Sequence, residues 1–424
     1  MSDQTPPERY AMLTTESVVG YLRDIDAVVA ILGEPRSSWT ASDIADGNLN
    51  FVFHVRSENA GVIVKQALPW LRARGENWPL PLSRAYFEYE ALLREEQRAP
   101  GRTPAVIHFD RDMALTVMEH LSPHIILRKG LVRGVRYPRL AEDTGRFLAQ
   151  TLFRGSDLSL DASVKRADMA LFAGNDALCA VTEARVFTEP YHDAELNRWT
   201  RPQLDRLVAD VRADSIHKAA IQEMKAIFMT KAQSLLHGDL HSGSLMVTQD
   251  DTRVIDPEFA FYGPMGFDTG ALLANYLIAY LAQPGQATKD DDRTDYAEWI
   301  LSTAAATSTE FEKEFKHLWN TERTGALFPL EVLGNADAAA TDRVLSDFLA
   351  DVFRDTVGFA AAKMMRRVIG AAHVEDLESI PDPDRRASRE KQVIALSRDL
   401  LRRRADIASM DDVLEAAREH QIGE

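Results

Sequence analysis

The chain has 424 residues, 45% of them hydrophobic and 27% charged, which is enough to bury a large core as one domain of two parts or as two domains. With 49 basic against 65 acidic residues the formal net charge is -16. That field repels nucleic acid and anionic membrane, and leaves a small molecule as the fitting partner. The one cysteine, Cys179, excludes an internal disulfide and, in an Ala/Leu-rich setting, is expected as a buried, inert thiol.

The opening string MSDQTPPERY has no basic stretch ahead of an apolar run, so no secretory signal is read and a cytoplasmic location is expected. From Asn50, the residues Phe51, Phe53 and Val55 alternate with Val52, His54 and Arg56, a strand pattern. The turn Ser57 to Gly61 leads into Val62-Ile63-Val64-Lys65, which completes a hairpin. A helix is predicted from Arg84 to Glu96. A second hairpin is predicted from Ala105 to Phe109 and Ala114 to Met118, around Asp110-Arg111-Asp112. After Leu121 the pattern turns helical: Leu140 to Leu152, then Leu204 to Val211, then Ile216 to Ile227.

In this second half the strand signals are Ser244 to Val247 and Thr252 to Ile255, joined by the turn Thr248 to Asp251. The apolar run Gly270 to Leu281 is too short to span a bilayer and carries Asn275, so it reads as a core helix. The knots Asp290-Asp291-Asp292 and Asp382 to Arg386 read as solvated loops. The expected division is an N-terminal β-rich part, residues 1–119, and a mainly helical C-terminal part, residues 120–424. No internal repeat is present.

The chemistry concentrates in His237-Gly238-Asp239-Leu240-His241-Ser242-Gly243-Ser244 and in Asp256-Pro257-Glu258 a strand further on. Transfer of a phosphoryl group needs a positioned acceptor hydroxyl, neutralised phosphate charge and a held metal ion, and three acids in two groups can supply these. Asp239, on a glycine-containing turn, can act on an acceptor hydroxyl as base or orienting acceptor. His237 and His241 are expected to brace the loop, because magnesium prefers oxygen ligands. Asp256 and Glu258, two apart on an extended segment, would point to one side and grip magnesium.

These strings resemble the kinase-like fold of small-molecule phosphotransferases, in which a His-Gly-Asp loop is followed by a metal-binding acid. Within that superfamily the chain resembles the family of 5-methylthioribose kinases. The resemblance is carried by Asp46 to Phe53, Glu76-Asn77-Trp78-Pro79-Leu80, Thr116 to Glu119, His237 to Ser244, Asp256 to Pro264 and Met364-Met365-Arg366-Arg367. It implies an α+β fold with a β-rich N-terminal lobe and a mainly helical C-terminal lobe. It also implies a homodimer, ATP and magnesium as cofactors, and phosphorylation of the anomeric hydroxyl of a thiosugar. Asp239 would then be the catalytic acid, with Asp256 and Glu258 the metal ligands. Ser244 stands where the wider superfamily has a metal-binding Asn, and Glu258 is expected to take over that duty.

On the nucleotide side, Gly47 with Asn48 and Asn50 is a weak phosphate-loop signal by itself. Lys65 stands where a kinase fold places the lysine that pairs with the α and β phosphates. Its acidic partner is Glu88 or Glu90, and Glu88 is chosen from the superfamily pattern. Glu119, His120 and Leu121 form the expected adenine-binding hinge. On the sugar side, Arg366 and Arg367 can fix adjacent hydroxyls or stabilise phosphoryl charge. Helical neighbours point about 100° apart, so by spacing alone one of them could be solvated, whereas the resemblance implies that both serve the sugar or transition-state region. Trp78 either caps the site or packs beside Pro79. A kinase of a related sugar such as 5-deoxyribose stays open. A choline or aminoglycoside kinase is less suited, because a cation calls for an acidic or aromatic cage. A non-catalytic nucleotide-binding scaffold is hard to reconcile with an intact set of acids.

Overall fold

The computed structural model describes residues 7–44, 49–70, 78–334 and 337–422. The chain folds as two compact units. The first holds the described residues up to Pro123 together with Asn175–Leu178 and Arg253–Ala260; the second holds His124–Gly174, Cys179–Thr252 and the described residues from Phe261 onward. Asp256 and Glu258 therefore belong to the first unit, although the segments that precede and follow their stretch belong to the second.

The first unit is built on a five-stranded antiparallel sheet in the order β1-β2-β3-β5-β4. Its strands are β1 (Thr40–Asp43), β2 (Asn50–Arg56), β3 (Gly61–Ala67), β4 (Val106–Asp110) and β5 (Leu115–Glu119). Alternation sends Phe53, Val55, Val62, Val64, Leu115 and Val117 into one core, closed by Val18, Val19, Leu22, Val28 and Leu32. Those last residues come from two helices, Thr15–Leu22 and Asp26–Leu32. Neither helix nor β1 is legible in the sequence, since eight, seven and four residues give too short a periodicity to stand out. Thr14 nevertheless closes a capping box with Ser17 at the start of the first helix.

On the other face of the sheet lies the helix Arg84–Arg98, which packs against β3, β4 and β5. Its buried residues Arg84, Ala85, Phe87, Glu88, Ala91, Leu92, Glu95 and Arg98 recur at helical spacing. Lys65 is in register with Val52 on β2 and Thr116 on β5, so the lysine sits on an interior strand.

The second unit is mostly helical, and its strands are brief. They are β6 (Ile125–Ile126), β7 (Ser234–Leu236), β8 (Leu245–Val247) and β10 (Phe261–Gly263), with β9 (Thr252–Val254) running out of this unit into the first. β7 pairs with β10 and β6 with β8, both antiparallel. Of these, β8 and β9 match strands expected from sequence, whereas β6, β7 and β10 do not.

The expected core helix is Gly266–Gln286, buried along nearly its whole length. It crosses the helix Ala338–Ile369 at glycines: a Cβ on Gly266 would meet Asp355 Cβ at 2.5 Å, and one on Gly270 would meet the Thr356 carbonyl oxygen at 2.6 Å. Among the described residues no helix is long and apolar enough to cross a membrane.

Two local expectations are corrected. Cys179 is half-buried rather than buried, since its helix, Asp176–Phe187, exposes part of that turn. Asp382 to Arg386 does not form a solvated loop. Asp382 caps the helix Pro383–Arg403 by accepting from the amides of Asp384 and Arg385.

Substitution Gly270→Ala should lower the unfolding free energy by about 1–3 kcal/mol, because the crossing cannot open without cost. Gly20→Ala, at a helical position with open space around it, should be neutral or stabilising by up to about 1 kcal/mol. Urea unfolding of both variants separates close approach from backbone entropy.

Candidate active site

In the first unit, Lys65 Nζ donates to Glu88 Oε1 at 2.8 Å and also bonds Asp256 Oδ1. Glu90, the other sequence candidate, turns to Arg94 at 2.5 Å instead, because only Glu88 lies on the buried face of its helix. Glu88, Asp256 and Glu258 each offer a carboxylate oxygen, all within 4.8 Å of one another. Burial pushes the Glu88 carboxyl up to about 7 even with Lys65 beside it, and Asp256 and Glu258 push the same way. Burial opposes charge on Lys65 too, yet Asp256, Glu88 and Glu258 together raise its ammonium above the usual value.

The acids reach this arrangement by a turn rather than by the expected extended segment. β9 ends at Val254, and Asp256 has φ 72°, in the left-handed region that a non-glycine residue seldom adopts. The Ala260 amide then closes on Pro257 O at 3.1 Å. Asn175 Nδ2 ties the turn down through the carbonyls of Glu258, at 2.9 Å, and Ala260, at 3.0 Å. Strain of this kind, held by surrounding bonds, is typical of a functional turn.

Glu258 is fixed from behind. Asn50 Nδ2 donates to its Oε2 at 2.9 Å, and Arg84 Nε lies 3.9 Å from the same oxygen. Arg84 is fully buried and also donates to Asn50 Oδ1 (2.9 Å) and to the carbonyls of Leu49 (3.0 Å), Leu68 (2.7 Å) and Pro81 (3.0 Å). Asn50, expected on the nucleotide side, has its side chain buried and bonded to Glu258. Nothing in the sequence marks Arg84 for this task, because a helix-start arginine usually reads as solvated.

Gly47 and Asn48 lie outside the described residues. Trp78 is half-buried, next to the isolated bridge between Trp70 and Pro79. At the expected hinge, the Glu119 amide is used within the sheet by Ala105 O at 2.9 Å. His120 packs its ring on His54 at 3.9 Å between centroids, and Leu121 is buried.

In the second unit, the loop after β7 is pinned at both ends. Asp268, at the start of the buried helix, accepts from the amides of His237 (2.7 Å) and Gly238 (3.0 Å). Gly238 has φ 84°, which permits the sharp turn into Asp239. The Ser244 hydroxyl donates to the Asp239 carbonyl at 2.9 Å, so Ser244 closes the loop. The histidines brace it as expected: His237 Nδ1 accepts from the Asp239 amide at 3.3 Å and His241 Nδ1 from the Gly243 amide at 2.9 Å. With Nδ1 an acceptor, His241 carries its proton on Nε2, which faces Asp239 Oδ2 at 3.3 Å.

The other carboxylate oxygen, Oδ1, accepts from Lys363 Nζ at 3.0 Å. Lys363 is buried, with its ammonium 4.4 Å above the Phe267 ring. Burial alone would push the Asp239 carboxyl up, but Lys363, His241 and Arg366 outweigh it and hold the group well below the carboxylate range. Burial draws Lys363 down to about 8 and His241 to about 4, in each case against the pull of Asp239.

Arg366 and Arg367 both lie in the field of Asp239, and both guanidinium groups are pushed down by burial. Helical spacing alone would let one of them face solvent; in the structure Arg367 is buried and Arg366 half-buried. Lys363 is a residue that sequence reasoning missed, although Lys363, Arg366 and Arg367 stand at i, i+3 and i+4 and therefore share a helix face.

Arg128 was also missed. It comes from the helix Leu127–Arg133 and donates to Ser242 Oγ (3.2 Å), His241 Nδ1 (3.3 Å) and Asn275 Oδ1 (3.4 Å), with Asp376 3.4 Å away. No local pattern signals a residue recruited from that far along the chain.

A carboxylate ringed by cations on a braced loop, together with a lysine-held trio of acids beside a β-sheet, defines a kinase-like small-molecule phosphotransferase. The family model described as phosphotransferase enzyme family matches residues 40–300. The chain is 45% identical to a methylthioribose kinase of Escherichia coli over 97% of this chain and 98% of that protein. It is 43% identical to methylthioribose kinase 1 of Oryza sativa subsp. japonica, over 95% of this chain and 94% of the relative. Identity to the methylthioribose kinase of Bacillus velezensis is 39%, over 97% of each chain. The chain belongs to the phosphotransferase enzyme family and, within it, to the methylthioribose kinases.

The histidine of the loop makes a pH prediction. Its folded value, about 4, lies below the ordinary 6.5, so between these values only the unfolded chain takes up the proton. Stability is therefore lost as the pH falls from 6.5 towards 4, by up to about 1.4 kcal/mol per pH unit for this one group. Wild type should lose unfolding free energy more steeply across that window than His241→Gln. Taking the difference also removes the opposite contribution of Glu88, whose raised value stabilises the fold on acidification.

Proposed function

We propose that the enzyme transfers the γ-phosphoryl group of ATP to the anomeric 1-hydroxyl of 5-methylthioribose, giving 5-methylthioribose 1-phosphate and ADP, a step of methionine salvage. The observation that carries the reading is Asp239, kept ionised between Lys363 and His241 with Arg366 and Arg367 in its field. The bond between the sugar oxygen and phosphorus forms as the bond from phosphorus to the ADP oxygen breaks, and the hydroxyl proton passes to Asp239. A carboxylate with so depressed a value is a weak base. It suits an anomeric hydroxyl, which the ring oxygen makes more acidic than an ordinary alcohol. The arginines supply donors to sugar hydroxyls or to phosphoryl oxygens as charge moves.

The cations also bear on the alternatives. An amine substrate such as choline would bring its positive charge among Lys363, Arg366 and Arg367, with Asp239 already compensated. A neutral sugar meets no such penalty, and the identity to methylthioribose kinases points the same way.

On the nucleotide side the proposal gives Lys65, held by Glu88, to the phosphates. Gly47 and Asn48 go to the phosphate loop, and Glu119, His120 and Leu121 to the adenine edge. Trp78 is assigned to the substrate side.

The donor set fits magnesium: three carboxylate oxygens within 4.8 Å are hard ligands of the type that ion takes. Asp256 and Glu258 would hold it, with Glu258 serving where Ser244 is already committed to the Asp239 carbonyl. When bound, magnesium neutralises phosphate charge. A homodimer is part of the same reading and is tested by light scattering of the purified protein.

With magnesium-ATP, ADP release should be fastest with methylthioribose among methylthioribose, 5-deoxyribose, ribose and choline. Faster turnover of choline would sink the sugar assignment. Asp239→Asn should lower kcat by about 100-fold or more while ATP affinity stays nearly constant, because the acid acts on the acceptor. Glu258→Gln should weaken magnesium binding in the presence of a non-hydrolysable ATP analogue, measured by calorimetry without turnover. Unchanged metal affinity would remove Glu258 from the ligand set.

A further inference from the structure

Buried charge in the second unit is arranged around one carboxylate. Four elements bring ionisable groups to Asp239 or to its immediate partners. Its own loop supplies His237 and His241, the helix Ala338–Ile369 supplies Lys363, Arg366 and Arg367, and the helix Gly266–Gln286 supplies Asp268. Arg128, from the helix Leu127–Arg133, acts on His241, Arg366 and Arg367. Of these cations Lys363 alone hydrogen-bonds the carboxylate from outside the loop among the described contacts.

Its place is built rather than incidental. The side chain is 3% exposed, and the ammonium is held between the Phe267 ring at 4.4 Å and Asp239 Oδ1 at 3.0 Å. A lysine costs several kcal/mol to bury unless a partner compensates it. Hydrophobic packing alone would be better served by leucine or methionine at this position.

We propose that Lys363 is a positioning residue for the transfer step: it fixes the Asp239 carboxylate by Oδ1 and leaves Oδ2, beside His241, as the oxygen that meets the sugar hydroxyl. Two anchored contacts on Oδ1 and on the loop backbone restrict the carboxylate to one orientation, which a group on a free side chain would have to find during each turnover. The ammonium also keeps the acid ionised until it receives the substrate proton. When that proton arrives on Oδ2, the bond from Lys363 to Oδ1 persists, so the carboxyl stays in place while the product forms. The inference rests on the proposed role of Asp239 as acceptor-side acid.

Lys363→Met keeps an unbranched side chain of similar length and removes the charge and the donor. It should lower kcat about 100-fold while the KM for ATP changes less than about twofold. The acid limb of the kcat profile should move up by about one pH unit or more, as Asp239 loses its nearest cation. Lys363→Arg should recover part of the rate and return the limb towards that of the wild type. If Lys363→Met melts early, Lys363→Gln and Lys363→Arg are read the same way, with ATP affinity as the check on folding. A Lys363→Met enzyme within about threefold of wild-type kcat overturns the proposal. So does a slowed variant whose acid limb coincides with that of the wild type, since a purely structural lysine would slow the enzyme without moving the limb. Failure of the wild type to phosphorylate methylthioribose is a different result, and it would overturn the functional reading itself.

Discussion

A carboxylate partly withdrawn from water, like that of Asp239 with 19% of its side chain exposed, stays charged more readily where cations and donors replace the hydration it has lost. Most of the second unit can be understood from that constraint applied to Asp239. Lys363 and His241 contact its two oxygens, and each is itself held: Lys363 by the Phe267 ring, His241 by the Gly243 amide that selects its tautomer. For Lys363 and Phe267 to meet, the helices Ala338–Ile369 and Gly266–Gln286 must run close. The glycines at 266 and 270 permit this, since a Cβ at either would collide with the facing helix. The same buried helix places Asp268 under the loop amides, so a single packing contact between two helices sets both the cation and the loop.

The first unit meets the constraint with its signs reversed. Three carboxylates gather within a few ångströms, where each raises the cost of ionising the others, and burial, with Asp256 and Glu258 adding to it, pushes the Glu88 carboxyl up to about 7. Lys65 and Arg84 are the compensating cations. Lys65 is shared between Glu88 and Asp256, while Arg84 stays behind Glu258 and directs its donors to Asn50 and three backbone carbonyls. Arg84 is therefore at once an anchor for the chain around residues 49, 68 and 81 and the counter-charge for an acid. A fixed guanidinium can do both because its five donors lie in one plane.

Much of this is legible in the order of the amino acids. The alternation of Phe51, Phe53 and Val55 and the β-branched run leading to Lys65 mark strands within one or two residues of those observed. The His-Gly-Asp string marks the loop. The short strands β8 and β9 are legible because the turn Thr248 to Asp251 separates them, while β1, β6, β7 and β10, two to four residues each, have no such flanking signal and are not read. The backbone of Asp256 is equally hidden. An acid-Pro-acid string suggests an extended link, and only its surroundings, above all Asn175 holding two carbonyls, keep it in a left-handed turn.

Local pattern determined the chemistry of this protein: which acids and cations are present, which of them follow a strand or share a helix face, and that the whole suits phosphoryl transfer to a small molecule. Tertiary structure decided the pairings. That Glu88 rather than Glu90 meets Lys65, that Asn50 and Arg84 serve Glu258, and that Lys363 and Arg128 reach the His-Gly-Asp loop are outcomes of packing between segments far apart in the chain. The physical reason is the range of the forces involved. Periodicity and turn preference act over a few residues and are written in neighbouring letters. Compensation of a buried charge depends on distance in space, and the chain must fold before that distance exists.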